Sequence, residues 1–255
     1  MRVRTERRSG PDGDTVRLTY ARPEKLNALT PEAIAELTGH FLNMADDRDL
    51  RCAVVTGSGD KSFIGGADIG TLAALGPETA RTFITSLHKL FLSIRECPVP
   101  VIARINGYCL GAGMELAASC DMRIASDSAR FGMPEVQVGI PSVVEAALLP
   151  RLIGRGRTAH LVLTGEMIDA RIAEAWGFVE KLVADRELDT AIDQCTDAVC
   201  RAGPQAIRTQ KTLLSIWDDA SLDEAIARSI DLFADSYRTG EPRKAINRFL
   251  ENKAR

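Results

Sequence analysis

The sequence predicts an α/β core followed by a C-terminal helical region. Up to about Pro141, short apolar runs alternate with helical stretches. Beyond it, strand signals nearly vanish and helical segments follow one another, punctuated by glycines. The 255 residues are 45% hydrophobic and 26% charged, enough apolar material to bury a core without disulfides or metal.

Thr15-Val16-Arg17-Leu18-Thr19-Tyr20 alternates as a half-buried strand. Thr30-Pro31-Glu32 opens a helix, with Thr as N-cap and Pro at the first helical position. Cys52-Ala53-Val54-Val55-Thr56 is an apolar run closed by Gly57-Ser58-Gly59, the pattern of a buried strand. A second helix is expected from about Pro77 to Glu96, then strands over Val99–Ile105 and Met122–Ala125. Segments 143–153, 155–163, 169–175, 186–201, 204–217 and 221–238 read as helices.

Charge excludes some partners. With 32 basic and 35 acidic side chains the net charge is −3, which gives no reason to expect nucleic acid. No apolar run approaches the roughly 20 residues of a membrane span, so no membrane association is expected. The basic start, Met1 to Arg8, lacks a signal peptide's apolar centre and runs into a strand pattern, which points to a cytoplasmic protein. Cys52, Cys97, Cys109, Cys120, Cys195 and Cys200 form no C-x-x-C pair and read as reduced thiols. His40, His88 and His160 lack metal-ligand spacing and read as packing or surface residues. No metal site is expected.

Three segments place glycines where a strand hands over to a helix. In Ser62-Phe63-Ile64-Gly65-Gly66-Ala67-Asp68-Ile69 the paired glycines let the backbone approach a ligand, although taken alone a turn that caps a helix is the plainer reading. In Asn106 to Ala117, Gly111-Ala112-Gly113 precede a helical run whose free N–H groups gather partial positive charge. Such a place can bind a carbonyl oxygen that becomes anionic. Glu115 lies one turn in, on an otherwise apolar helix. It complements the helix dipole or is buried for a purpose, because a buried carboxylate is costly. In the third segment, Pro134 and Pro141 fix the chain around Glu135, a surface loop acid or a functional one.

Together and in order, these segments resemble the enoyl-CoA hydratase/isomerase (crotonase) family, and the resemblance covers nearly the whole chain. Ala21-Arg22-Pro23-Glu24-Lys25-Leu26-Asn27-Ala28-Leu29 looks like the family's N-terminal CoA-binding stretch. Phe63 to Ile69 is similar to its first oxyanion-hole loop, Asn106 to Ala117 to its second with the first glutamate, and Pro134-Glu135 to the second glutamate.

The resemblance implies a crotonase-like ββα spiral core over residues 1–195 and a helical oligomerisation region over 196–255. It implies an oxyanion hole from the N–H groups of Ala67 and Ala112, the latter at a position where the family usually has Gly. It makes Glu115 and Glu135 the acid–base pair. Lys25, Leu26, Ala28, Gly65, Gly66, Asp68, Ile69 and Gly111 are then expected to contact the acyl-CoA, with Lys211 a second candidate for the CoA phosphates and otherwise a solvated surface lysine. No cofactor is expected, because CoA is part of the substrate, and the assembly expected is a homotrimer or dimer of trimers.

Both glutamates are kept, which favours an enoyl-CoA hydratase over a double-bond isomerase or a non-catalytic acyl-CoA binder. One departure stands out. Hydratases commonly continue Ile-Pro-Gly-Ala-Gly-Gly, whereas this chain reads Ile140-Pro141-Ser142-Val143-Val144-Glu145. Glu145 is a third carboxylate of the site or a surface acid near a helix start, and the surface reading is the expectation.

Overall fold

The computed structural model describes residues 2–253. Among the described residues, ten strands form two sheets. The larger is built from β1 (Val3–Gly10), β2 (Gly13–Tyr20), β3 (Leu50–Gly57), β5 (Val101–Ile105), β7 (Met122–Ser126) and β10 (Lys181–Val183), in the order β1-β2-β3-β5-β7-β10. Only β1 and β2 pair antiparallel; every other neighbouring pair is parallel. The smaller sheet holds β4 (Ser62–Ile64), β6 (Tyr108–Leu110), β8 (Arg130–Gly132) and β9 (Met167–Asp169), in that order.

Local chemistry explains the main elements. In β2, Val16, Leu18 and Tyr20 turn inward on alternate positions, while β3 is buried along its whole length. Helix α1 (Pro31–Asn43) starts where Thr30 Oγ1 accepts the Ala33 N–H at 3.3 Å. It buries Ile34, Leu37 and Phe41. A short α2 (Ile69–Ala73) follows β4, and α3 (Pro77–Arg95) packs on α1. Helix α4 (Ala112–Ser119) is buried at every position, between sheet and loops.

The second half contains α5 (Leu149–Ile153), α6 (Arg155–Thr164), α7 (Ala170–Trp176), α8 (Leu188–Arg201), α9 (Pro204–Asp219), α10 (Leu222–Ser236) and α11 (Glu241–Lys253). Helix α8 covers the outer face of the large sheet, where Leu188, Ala191 and Ile192 meet Cys52, Val54, Ile102 and Ile124. Among the described residues, no helix is long and apolar enough to cross a membrane.

The structure corrects the expectation that strands end near Pro141. β9 closes the small sheet antiparallel to β8, and β10 adds a parallel edge to β7. Each is three residues long, too short for a periodicity to declare itself. The same shortness left β4, β6 and β8 without assigned bounds, although their glycines mark where a strand hands over to a helix. The first residues also form a strand: β1 is basic and largely exposed, an edge that takes its partner from β2.

Candidate active site

The small sheet builds the site. β4, β6 and β8 run parallel, in register Tyr108↔Arg130, Cys109↔Phe131 and Leu110↔Gly132 across the last pair. Their carboxyl ends therefore lie side by side. From them leave the loops that carry Gly65-Gly66-Ala67, Gly111-Ala112 and Pro134-Glu135. Three segments far apart in sequence are brought to one rim by parallel pairing alone, the usual place for a ligand in such sheets.

Each loop needs its glycines. A Cβ on Gly113 would overlap the carbonyl of Ile64, so only glycine lets the first turn of α4 sit on the end of β4. Gly111 adopts φ +50, and its N–H donates to the Gly132 carbonyl at 2.9 Å, locking the second loop to the third. In the first loop, Leu29 N–H donates to Gly66 O and Asp68 N–H to Leu29 O, both at 2.8 Å. Those two bonds leave the intervening Ala67 N–H on the opposite side. Among the described residues, neither the Ala67 nor the Ala112 N–H donates to another protein group. Ala112 opens α4, so its N–H also carries the positive end of the helix dipole.

Both alanines line a cavity of about 190 Å³, together with Gly65, Gly66, Ile69 and Gly111. Glu115 and Glu135 face the same space. Leu72, Phe83, Ile84, Leu87 and Val143 supply apolar walls. Glu115 is 4% exposed, and its Oε1 accepts the Ala146 N–H at 3.2 Å. Burial first, and then the neighbouring Glu135 carboxylate, pushes its carboxyl up to about 8. Glu135 sits in the 3-10 helix Pro134–Val138 and accepts the Ser142 hydroxyl on Oε2 at 2.9 Å. Burial raises its proton affinity while the Ser142 bond opposes the rise.

The N-terminal stretch scaffolds the first loop. Leu26, at φ 51, uses its carbonyl to accept the Gly65 N–H at 2.8 Å and the Ser62 hydroxyl at 2.7 Å. The Ala28 carbonyl accepts from the Tyr20 hydroxyl at 2.9 Å and from Arg22 at 3.1 Å. Asp68 pairs with Arg22 at 2.5 Å and caps α2 by accepting the Thr71 N–H at 2.8 Å. Lys25 is exposed on the turn before Leu26. None of these four lines the cavity.

Two expectations are corrected. Lys211 is neither solvated nor free for phosphates: it is 7% exposed, and its Nζ donates to Ile94 O, Val99 O and Asp121 Oδ2 at 3.2, 3.0 and 2.8 Å. Glu145 is not a surface acid. It is 3% exposed in the 3-10 helix Val144–Leu148, and its Oε1 lies 2.9 Å from His88 Nδ1. Sequence reading also passed over Asn27, whose Nδ2 donates to Ser58 O at 3.0 Å and Ser62 O at 2.8 Å and so fixes the start of β4. A fully buried Asn leaves no periodic signal. Among the described residues, no group of three or more His, Cys, Asp or Glu side chains could hold a metal ion.

A family model described as enoyl-CoA hydratase/isomerase matches residues 13–255. The crotonyl-CoA hydratase of Syntrophomonas wolfei is 35% identical over 233 residues, 91% of this chain and 90% of that protein. The short-chain-enoyl-CoA hydratase of Clostridium acetobutylicum is 32% identical over 243 residues, 95% and 93% of the two chains. The crystal structure of an enoyl-CoA hydratase from Bacillus anthracis matches with a TM-score of 0.93 at 28% identity, covering 99% of this chain and 97% of that one.

Proposed function

The chain belongs to the enoyl-CoA hydratase/isomerase family and has its crotonase-type fold, and on that premise we propose that it adds water across the 2,3 double bond of a 2-enoyl-CoA to give a 3-hydroxyacyl-CoA. The observation that carries this reading is the convergence of two carboxyl groups and two unpartnered backbone N–H groups on one apolar cavity.

The thioester oxygen sits between the N–H groups of Ala67 and Ala112. As the water oxygen bonds to the β-carbon, the double-bond electrons move to the α-carbon and the thioester becomes enolate-like. The negative charge on its oxygen is met by donors already in place, which need no reorganisation. One carboxylate of the Glu115–Glu135 pair takes a proton from the water, and the other carboxyl gives one to the α-carbon. The pair therefore enters the reaction sharing one proton, as two buried acids near one another do. The product gains one H and one OH, and no separate cofactor enters the balance.

The walls formed by Leu72, Phe83, Ile84 and Val143 support an apolar acyl group. The small cavity and the likeness to a crotonyl-CoA hydratase and a short-chain-enoyl-CoA hydratase support a short one. Lys25, exposed beside the first loop, is the proposed contact for the CoA phosphates. Six free cysteines support a reducing, cytoplasmic setting. The exposed Leu222, Ile230, Phe233 and Phe249 of the C-terminal helices support a homotrimer or dimer of trimers assembled through residues 196–255.

The test is purified protein with crotonyl-CoA, followed by loss of the conjugated thioester absorbance. Wild type turns over, and Glu115→Gln and Glu135→Gln each lose the activity. Turnover of a 3-enoyl-CoA without hydration of any 2-enoyl-CoA would replace the reading with isomerisation. Binding of acyl-CoA without turnover would leave only a carrier.

A further inference from the structure

Glu145 has no part in the chemistry above, yet it is more deeply buried than Glu135. Its Oε1 meets His88 Nδ1 of α3, while its Oε2 is buried without any hydrogen-bond partner. An ionisable group in that state is expensive to keep and calls for a role. Its neighbours on either side are unusual as well. Val144 adopts φ 42, a left-handed conformation that a β-branched residue rarely takes. Ala146 donates its N–H to Glu115 Oε1.

The chain of contacts is continuous. His88 of α3 meets Glu145, Glu145 follows Val144 in the 3-10 helix, and the next residue of that helix gives its N–H to Glu115. His88 and Arg95 of α3 act on the charge of Glu145, and Glu135 and Glu145 act on that of Glu115. Glu145 does not line the cavity, so it acts from behind.

We propose that His88 and Glu145 form a positioning pair behind Glu115, which holds the Ala146 N–H on its carboxyl and sets the Glu145 carboxyl one residue from that bond. The inference uses the hydratase reading only for the role of Glu115, and its physical content can be measured without turnover. Burial raises the proton affinity of Glu145 itself, and the His88 contact opposes that rise and favours the charged form. Electrostatics and geometry separate by substitution. Glu145→Gln keeps an acceptor for His88 and removes the charge. His88→Ala keeps the charge and releases the anchor.

The experiment is a titration of the Glu115 carboxyl by carbon NMR on carboxyl-labelled protein, assigned by its loss in Glu115→Gln, alongside pH profiles of crotonyl-CoA hydration. Glu145→Gln is expected to lower the Glu115 midpoint, and the alkaline limb of the kcat profile moves with it. His88→Ala is expected to lower kcat by about 10- to 100-fold with little change in KM, and His88→Gln, which restores a side-chain donor, recovers most of it. Should Glu145→Gln not fold, Glu145→Met removes the charge without stranding a polar atom and takes the same titration. An unmoved midpoint in the charge-removing variant overturns the proposal, as does a His88→Ala protein that loses thermal stability while kcat and its pH profile stay fixed. A wild type that hydrates nothing defeats the hydratase reading alone, because the carboxyl titration still reports on the pair.

Discussion

Gly111 and Glu135 are so close that a Cβ on the glycine would overlap Glu135 Oε1. The glycine opens the loop into α4, and its φ of +50 already disfavours any side chain. One residue thus serves the backbone turn that exposes the Ala112 N–H and the space that the second carboxylate occupies.

Gly111→Ala is therefore expected to act on the chemistry more than on the fold. The Glu135 side chain can swing away, so the stability cost should be that of forcing a side chain onto this positive-φ backbone, φ 50 and ψ −120, about 1–3 kcal/mol. Displacing a reacting carboxyl by an ångström or so should lower kcat by about 10²-fold. Steady-state kinetics and thermal unfolding of the same preparation separate the two effects.

Ala112→Pro tests the main-chain donor directly. The residue is the first of α4, a position that tolerates proline because its N–H makes no helical bond. Folding should survive while activity falls by roughly 10²–10³, the usual effect of losing one oxyanion donor. Ala112→Gly, which keeps the N–H, should stay near wild type. Equal losses in both variants would remove this N–H from the mechanism.

The carboxyl of Glu115 makes stability depend on pH with a definite sign. In the folded protein it keeps its proton to about pH 8, whereas in the unfolded chain it ionises near 4.5. Between those values the folded state binds more protons, so stability falls as pH rises, by up to about 1.4 kcal/mol per unit from this group. Urea unfolding from pH 5 to pH 9 should show the decline, and Glu115→Gln should flatten it. A Gln variant with the wild-type slope would assign the decline to other groups.

Lys211→Met should destabilise without touching substrate affinity. Removing the ammonium leaves Asp121 short of its buried partner and takes a donor from the carbonyls of Ile94 and Val99, a loss typically of about 3–5 kcal/mol. The melting temperature should drop clearly while the KM for an acyl-CoA holds. A raised KM at unchanged stability would restore the phosphate-binding role.

The paired substitution Ile230→Glu with Phe233→Glu places charge on the exposed apolar face of α10. If a homo-oligomer buries that face, light scattering should report smaller species than wild type. An unchanged mass would move the interface elsewhere.

Much of the site was legible because its signals are local. A glycine pair after an apolar run, a small-residue helix start and a proline-fixed glutamate each lie within a dozen residues, and their order along the chain gave the family. What stayed hidden depends on distance. His88 and Glu145 are 57 positions apart, and Lys211 and Asp121 are 90 apart; read alone, each looks like an ordinary surface charge. The small sheet was missed because strands of three residues carry no period.

The sequence by itself determined the α/β core, the helical second half and the identity of the groups at the three loop ends, since backbone propensity and glycine placement are properties of neighbouring residues. Only the tertiary structure decided that three short parallel strands bring those ends to one rim, and that Glu145 is buried behind Glu115. The physical reason is that burial and proton affinity are set by whatever packs around a group. For these carboxyls, that packing is supplied by elements distant along the chain.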